Sequence, residues 1–194
     1  MPGYGSNIFI GSADRSLRKR LKQILQRQGN IIVGEEDDGP TSLRVIRRII
    51  PDLVILDRDL PGMSGLDLAK IIEEDRIAPV LLLTSTWEKE LFEKAKESGV
   101  LAILVKPIQE GHLLSTASFV ISTFDKMKRL ENEVNQLKET LETRKLVEKA
   151  KGIIMNRLNL SETEAYKLMQ KKSMDKSIPM RQVAKIILAI RKEK

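Results

Sequence analysis

The chain has 194 residues, 41% of them apolar, with a net charge of +7; that is room for a medium domain plus a small one, with enough apolar content to exclude wholesale disorder. The absence of cysteine excludes disulfides, thiolate zinc sites and a cysteine nucleophile, and the single histidine, His112, does not suffice for a multi-histidine metal centre or a serine-type triad. Charge is unevenly placed: residues 1–143 carry 20 Lys+Arg against 22 Asp+Glu, and residues 144–194 carry 14 against 5, so a basic tail of the kind that suits a polyanion follows a nearly neutral body.

In chain order, short apolar runs alternate with helical patterns. The runs are Ile8–Ile10, Ile31–Val33, Leu53–Leu56, Val80–Leu83 and Ala102–Val105. Unbroken apolar runs of this length, bounded by Asp, Gly or Pro, predict parallel strands covered on both faces. Between them, Leu17, Leu21, Ile24 and Leu25 mark one helix face, and Leu43, Ile46, Ile49 and Ile50 a second. Leu66, Leu68, Ala69 and Ile72 mark a third, and Leu91, Phe92 and Ala95 a fourth. Five strands alternating with helices predict an α/β domain, a doubly wound parallel sheet whose ligands bind at the C-terminal strand ends.

Beyond Gly111 no strand pattern returns. From Met127 the apolar residues fall at Leu130, Val134, Leu137 and Leu141, a heptad seam of about two and a half repeats that predicts a helical coiled-coil stalk and a homodimer; the alternative is one long helix packing on its own domain. The tail reads as three short helices. The first buries Leu146, Val147, Ala150, Ile153 and Ile154; the second opens on a capping box, Ser161 with Glu164, and buries Ala165, Leu168 and Met169. The third has Pro179 in its first turn, followed by Met180, Val183, Ile187 and Ile190. The expected boundaries are residues 1–122, 123–143 and 144–194. No run approaches the roughly 20 apolar residues of a membrane span, and a cytoplasmic location is expected.

Three strand ends carry chemistry. "LVILDRDLPGMSG" puts Asp57 at the end of the third strand, "VLLLTS" puts Thr84 at the end of the fourth, and "ILVKPI" puts Lys106 at the end of the fifth. A carboxylate, a hydroxyl and an ammonium converging from three segments can serve phosphoryl transfer, as nucleophile, hydrogen-bond donor and counter-charge. The set resembles a two-component response-regulator receiver domain of the CheY type. The resemblance implies a flavodoxin-like sheet, Asp57 as phosphoacceptor, Thr84 as switch hydroxyl, Lys106 as phosphate-binding lysine, Mg²⁺ as cofactor and a sensor histidine kinase as partner.

Two departures from the family pattern bear on the switch. The acids that normally hold Mg²⁺ after the first strand are replaced by Ser12 and Ala13, which leaves Asp57 and Asp59 as ligands of a degenerate site. Asp14 falls one residue later, where it suits a helix N-cap better than a ligand. Ile103 stands where such receivers commonly carry an aromatic residue. Weak phosphorylation or none is therefore expected. The Asp-x-Asp pair Asp57 and Asp59 also admits a phosphatase of the haloacid-dehalogenase type, but Pro61 replaces the usual Thr or Val and no enzyme activity is expected.

The tail motifs "ETRKLVEKAKGIIM", "LSETEAYKLMQKKSMD" and "RQVAKIIL" resemble an ANTAR domain, the three-helix RNA-binding module of transcription antitermination regulators. That implies binding of paired RNA stem-loops in nascent transcripts. Lys145, Lys149, Lys151, Lys171, Lys172, Arg181 and Lys185 are the candidate phosphate contacts. Tyr166 either stacks on a looped-out base or packs beside Leu168 and Met169. Gly152, in mid-helix, calls for a close approach by a neighbouring helix or a nucleotide. The rival reading is a DNA-binding response regulator with a helix-turn-helix tail; a dimerisation adaptor would bind neither nucleic acid.

Overall fold

The computed structural model describes residues 5–189, which fall into two compact units dividing at Met127 and Lys128. In the first unit the order is β1 (Asn7–Gly11), α1 (Arg15–Arg27), β2 (Ile31–Glu36), α2 (Gly39–Ile49), β3 (Leu53–Asp57), α3 (Gly65–Glu74), β4 (Val80–Thr84), α4 (Lys89–Glu97) and β5 (Val100–Val105). The strands form one parallel sheet in the order β2-β1-β3-β4-β5. β3 and β4 are buried along their whole length, which is why they read as continuous apolar runs. Two cores flank the sheet. Leu21, Ile24 and Leu25 of α1 join Leu113, Ala117 and Val120 of the helix that follows β5 on one face. Ile46, Leu68, Ile72, Leu91 and Ala95, from α2, α3 and α4, cover the other.

The five strands and the four intervening helices lie where the apolar periodicity puts them. Four side chains depart from it. Ile31 and Val105, in the edge strands β2 and β5, are 55% and 39% exposed rather than covered. Ile50 is not on the α2 face: it is the C-cap, with φ +46°, and is 65% exposed, because Pro51 bars another helical turn. Phe92 is 48% exposed on α4 and lies against Trp87, ring centroids 5.8 Å apart.

α5 (Glu110–Leu158) is one unbroken helix of 49 residues. The expected stalk and the first tail helix are thus parts of the same element, since no proline interrupts residues 110–158. The seam residues Leu130, Val134, Leu137 and Leu141 are 47–59% exposed. In the second unit, Val147, Ala150 and Ile154 of α5 meet α6 (Glu162–Asp175) and α7 (Met180–Ala189) around Ala165, Met169, Val183 and Ala184. α6 opens on the full capping box: Glu164 N–H donates to Ser161 Oγ, and Glu164 Oε2 accepts the Ser161 N–H. Pro179 sits just before α7, its carbonyl accepting the Gln182 and Val183 N–H groups. Ile190 lies outside the described residues.

Candidate functional sites

The sheet brings three nominated residues to one edge. Asp57 is the last residue of β3, Thr84 the last of β4, and Lys106 follows β5, its N–H donating to the Thr84 carbonyl at 2.8 Å. Ser12, just beyond β1, is fully buried and held by its N–H on the Glu36 carbonyl. The turn after Asp57 needs its glycines: Gly62 has φ +75°, and a Cβ on Gly65 would stand 2.3 Å from the Asp57 carbonyl oxygen.

Asp57 is 4% exposed, and its two oxygens differ. Oδ2 accepts from Lys106 Nζ at 2.6 Å and from Ser12 Oγ at 3.0 Å. Oδ1 is buried without a hydrogen-bond partner, a condition that costs ~1–3 kcal/mol unless a ligand relieves it. Thr84 Oγ1 donates to the Thr86 carbonyl at 3.0 Å and accepts the Thr86 N–H at 3.3 Å, so its hydroxyl is engaged in the β4–α4 loop. Ile103, in β5, is partly buried against the α2–α4 core. An Arg18 guanidinium donates to the Ser12 carbonyl and brings a second cation to the neighbourhood.

The remaining acids do not join Asp57. Asp14 caps α1, its Oδ1 accepting from the Ser16 N–H at 2.8 Å, the Leu17 N–H at 3.1 Å and the Ser16 hydroxyl at 2.7 Å. The Ser16 hydroxyl, then the Leu17 N–H, hold its carboxyl below the usual aspartate range. The Asp59 side chain is 75% exposed and lies 3.8 Å from Arg58. Among the described residues no cluster of three or more acidic or histidine groups suits a metal ion. A receiver implies Mg²⁺ here, but these residues do not fit it. The one inward carboxylate is already paired with Lys106, and Ser12 offers a neutral hydroxyl, donating to Asp57 and accepting the Asp14 N–H, where an acid would offer a charged ligand.

In the second unit the nominated cations separate into two groups. Lys151 is buried, its Nζ 2.7 Å from Glu162 Oε1 and 2.6 Å from Glu148 Oε2. Those carboxylates, Glu148 first, push its ammonium above the usual lysine value, and Lys151 in turn holds Glu162 below the usual glutamate value. Arg181 NH1 is 2.5 Å from Glu139 and NH2 is 3.5 Å from Glu142. These two cations pin α5 to α6 and to α7. Lys145, Lys149, Lys171, Lys172 and Lys185 are exposed and have no ion pair among the described residues. Tyr166 is 46% exposed, at the surface rather than in the core. A Cβ built on Gly152 meets nothing within 4 Å among the described residues, so none of the described helices accounts for that glycine. Glu148 is a local i,i+3 partner of Lys151 that helical spacing can reveal, but Glu162 and the Arg181 partners lie 11 to 42 residues away and local spacing does not reveal them.

The family model of the response regulator receiver domain matches residues 8–118, and that of the ANTAR domain matches residues 135–188. The transcriptional regulatory protein PdtaR of Mycobacterium tuberculosis is 37% identical over 181 residues, covering 93% of this chain and 88% of that protein. The DNA-binding response regulator MtrA of Mycobacterium leprae is 31% identical over 110 residues, 56% of this chain and 48% of that one. Among solved structures, a LuxR-family DNA-binding response regulator from Staphylococcus aureus aligns with a TM-score of 0.57 at 27% identity, covering 60% of this chain and 98% of that chain. The chemotaxis protein CheY4 of Vibrio cholerae aligns with a TM-score of 0.56 at 25% identity, covering 60% and 98%.

Proposed function

Because the chain belongs to the response-regulator family, with a receiver domain followed by an ANTAR domain, we propose that it is a cytoplasmic antiterminator that binds paired RNA stem-loops and keeps a downstream terminator from forming. The observation that carries the RNA reading is the set of exposed lysines, without an ion pair among the described residues, on a basic three-helix unit. Unpaired loop bases are the part of RNA a protein reads by sequence, and the lysines supply the phosphate contacts. Lys151 and Arg181, engaged by carboxylates, serve the fold of that unit, and Lys145, Lys149, Lys171, Lys172 and Lys185 carry the electrostatic contact. Tyr166 is exposed enough to stack a base. Residues 1–122 form the receiver, 123–143 the stalk and 144–194 the RNA-binding unit, and the exposed seam of the stalk pairs two copies.

The receiver is phosphorylated weakly or not at all by Mg²⁺-dependent transfer. What supports this is the neutral pair Asp57–Lys106, closed by the Ser12 hydroxyl. Asp57 is the phosphoacceptor of whatever transfer occurs, from a sensor kinase or a small phosphodonor, with Lys106 beside it and Thr84 as the switch hydroxyl. The test is acetyl phosphate with and without Mg²⁺, read on a phosphate-affinity gel. Little or no modified protein is expected; robust labelling lost in Asp57→Asn would overturn the reading. A gel-shift comparison at equal salt, with hairpin RNA against duplex DNA, is expected to favour RNA. Preference for duplex DNA would favour the helix-turn-helix rival, and binding of neither would leave an adaptor.

A further inference from the structure

Gly152 occupies the interior of α5, where glycine disfavours the helix roughly fivefold relative to alanine. Among the described residues nothing requires it: a Cβ there would meet open space, and its backbone is helical rather than left-handed. The open space over Gly152 leaves the helix backbone free to meet a bound molecule. Counting along the helix, Lys145, Lys149, Gly152 and Asn156 stand at i, i+4, i+7 and i+11, one row on one face. Lys145, Lys149 and Asn156 are exposed. Val147, Ala150 and Ile154, which enter the core, lie on the opposite face.

We propose, resting on the RNA reading above, that this row is the line along which the RNA backbone lies, with Gly152 as its point of closest approach. Lys145 and Lys149 neutralise successive phosphates. The missing side chain at 152 lets the sugar-phosphate chain touch the helix itself, and the Asn156 amide, both donor and acceptor, reaches a base edge one turn further on. A second copy of the chain is the rival occupant, because the seam residue Leu141 lies one turn before Lys145. Charge decides against it. Symmetric pairing of this row would set four unpaired ammonium groups against one another, whereas a polyanion meets them with opposite charge.

The experiment uses the full chain. A pool of tandem stem-loop RNAs with randomised loops is selected on the wild-type protein, and the best binder serves as probe in fluorescence anisotropy. Gly152→Ala is expected to raise the melting temperature by a few degrees, to leave the light-scattering mass unchanged and to weaken RNA binding at least ~10-fold. Lys145→Ala and Lys149→Ala are each expected to flatten the log-log salt slope by about 0.7. Gly111→Ala is the control: it is equally open, in the same helix and outside the RNA-binding unit, and should leave affinity unchanged. If the wild type binds an RNA that Gly152→Ala binds within ~2-fold, this inference fails and the RNA reading stands. A fall in mass for Gly152→Ala assigns the row to a second copy and overturns it. Failure of the selection to enrich any RNA removes the RNA reading itself, and this inference with it.

Discussion

Restoring the missing acids should return metal binding to the receiver, at a measurable cost without metal. In Ser12→Asp with Ala13→Asp, the residue at 13 is exposed and contributes little strain, so the effect is set at position 12, fully buried and 3.0 Å from Asp57 Oδ2. Two carboxylates about 4 Å apart repel by ~4 kcal/mol at an effective dielectric near 20. Lys106, 2.6 Å from the same oxygen, offsets about half of that, leaving a loss of ~2 kcal/mol at neutral pH. For a domain of this size that is a fall of ~8 °C in melting temperature in EDTA. With MgCl₂ at about 100 times Kd, binding contributes ~2.7 kcal/mol and reverses the loss. The assay is thermal unfolding of the full chain in EDTA and across a MgCl₂ series. The wild type is expected not to respond. Equal Mg²⁺ stabilisation of wild type and variant, or no response in the variant, would refute the argument that Ser12 and Ala13 are what bar the metal.

Asp14→Ala should lower stability at neutral pH by removing the α1 cap, without altering RNA affinity. Because the Asp14 carboxyl is held below its ordinary value of 3.8, its contribution is present above that value and lost as pH falls through the lowered one; unfolding curves of wild type and variant should converge in acid. The Lys151–Glu162 link gives a two-sided window. Lys151 is raised and Glu162 lowered, so the link is complete between about 4.5 and 10.5 and is lost beyond either end. The stability difference between wild type and Lys151→Met should therefore be flat inside the window and shrink outside it, and a difference independent of pH would contradict the pairing. Val134→Glu with Leu137→Glu should dissociate the proposed dimer to a monomer in light scattering, since burying each apolar side chain contributes ~1.5–3 kcal/mol. RNA affinity should fall with salt at a log-log slope of about −0.7 per phosphate contacted.

Where the sequence carries a period, the structure follows it. β3 and β4 are buried on both faces and read directly as Leu53–Leu56 and Val80–Leu83. β2 runs on through Gly34, Glu35 and Glu36, polar residues kept in the strand by pairing with β1 that no local hydrophobicity announces. The stalk and the first tail helix read as two segments because their apolar faces differ, yet the absence of any breaker between Leu141 and Leu146 is what makes them one. At the receiver site the strand-end positions of Asp57, Thr84 and Lys106 were legible, as was the loss of acids at 12 and 13. What Ser12 does instead was not, because a hydrogen bond across 45 residues exists only after the sheet has formed. The same holds for Lys151: its charge is visible in sequence, but its neutralisation by Glu162 needs α6 folded back onto α5.

The unequal oxygens of Asp57 divide its lone pairs between held and enclosed. Oδ2 is saturated by two donors, so the free lone pairs belong to Oδ1 alone. Those lone pairs are enclosed, so anything that is to meet the carboxylate there must first open the packing around it, whereas Lys106 and Ser12 hold the other oxygen in place. The side chain is thus fixed at one oxygen and shielded at the other, and access limits its chemistry as much as charge does.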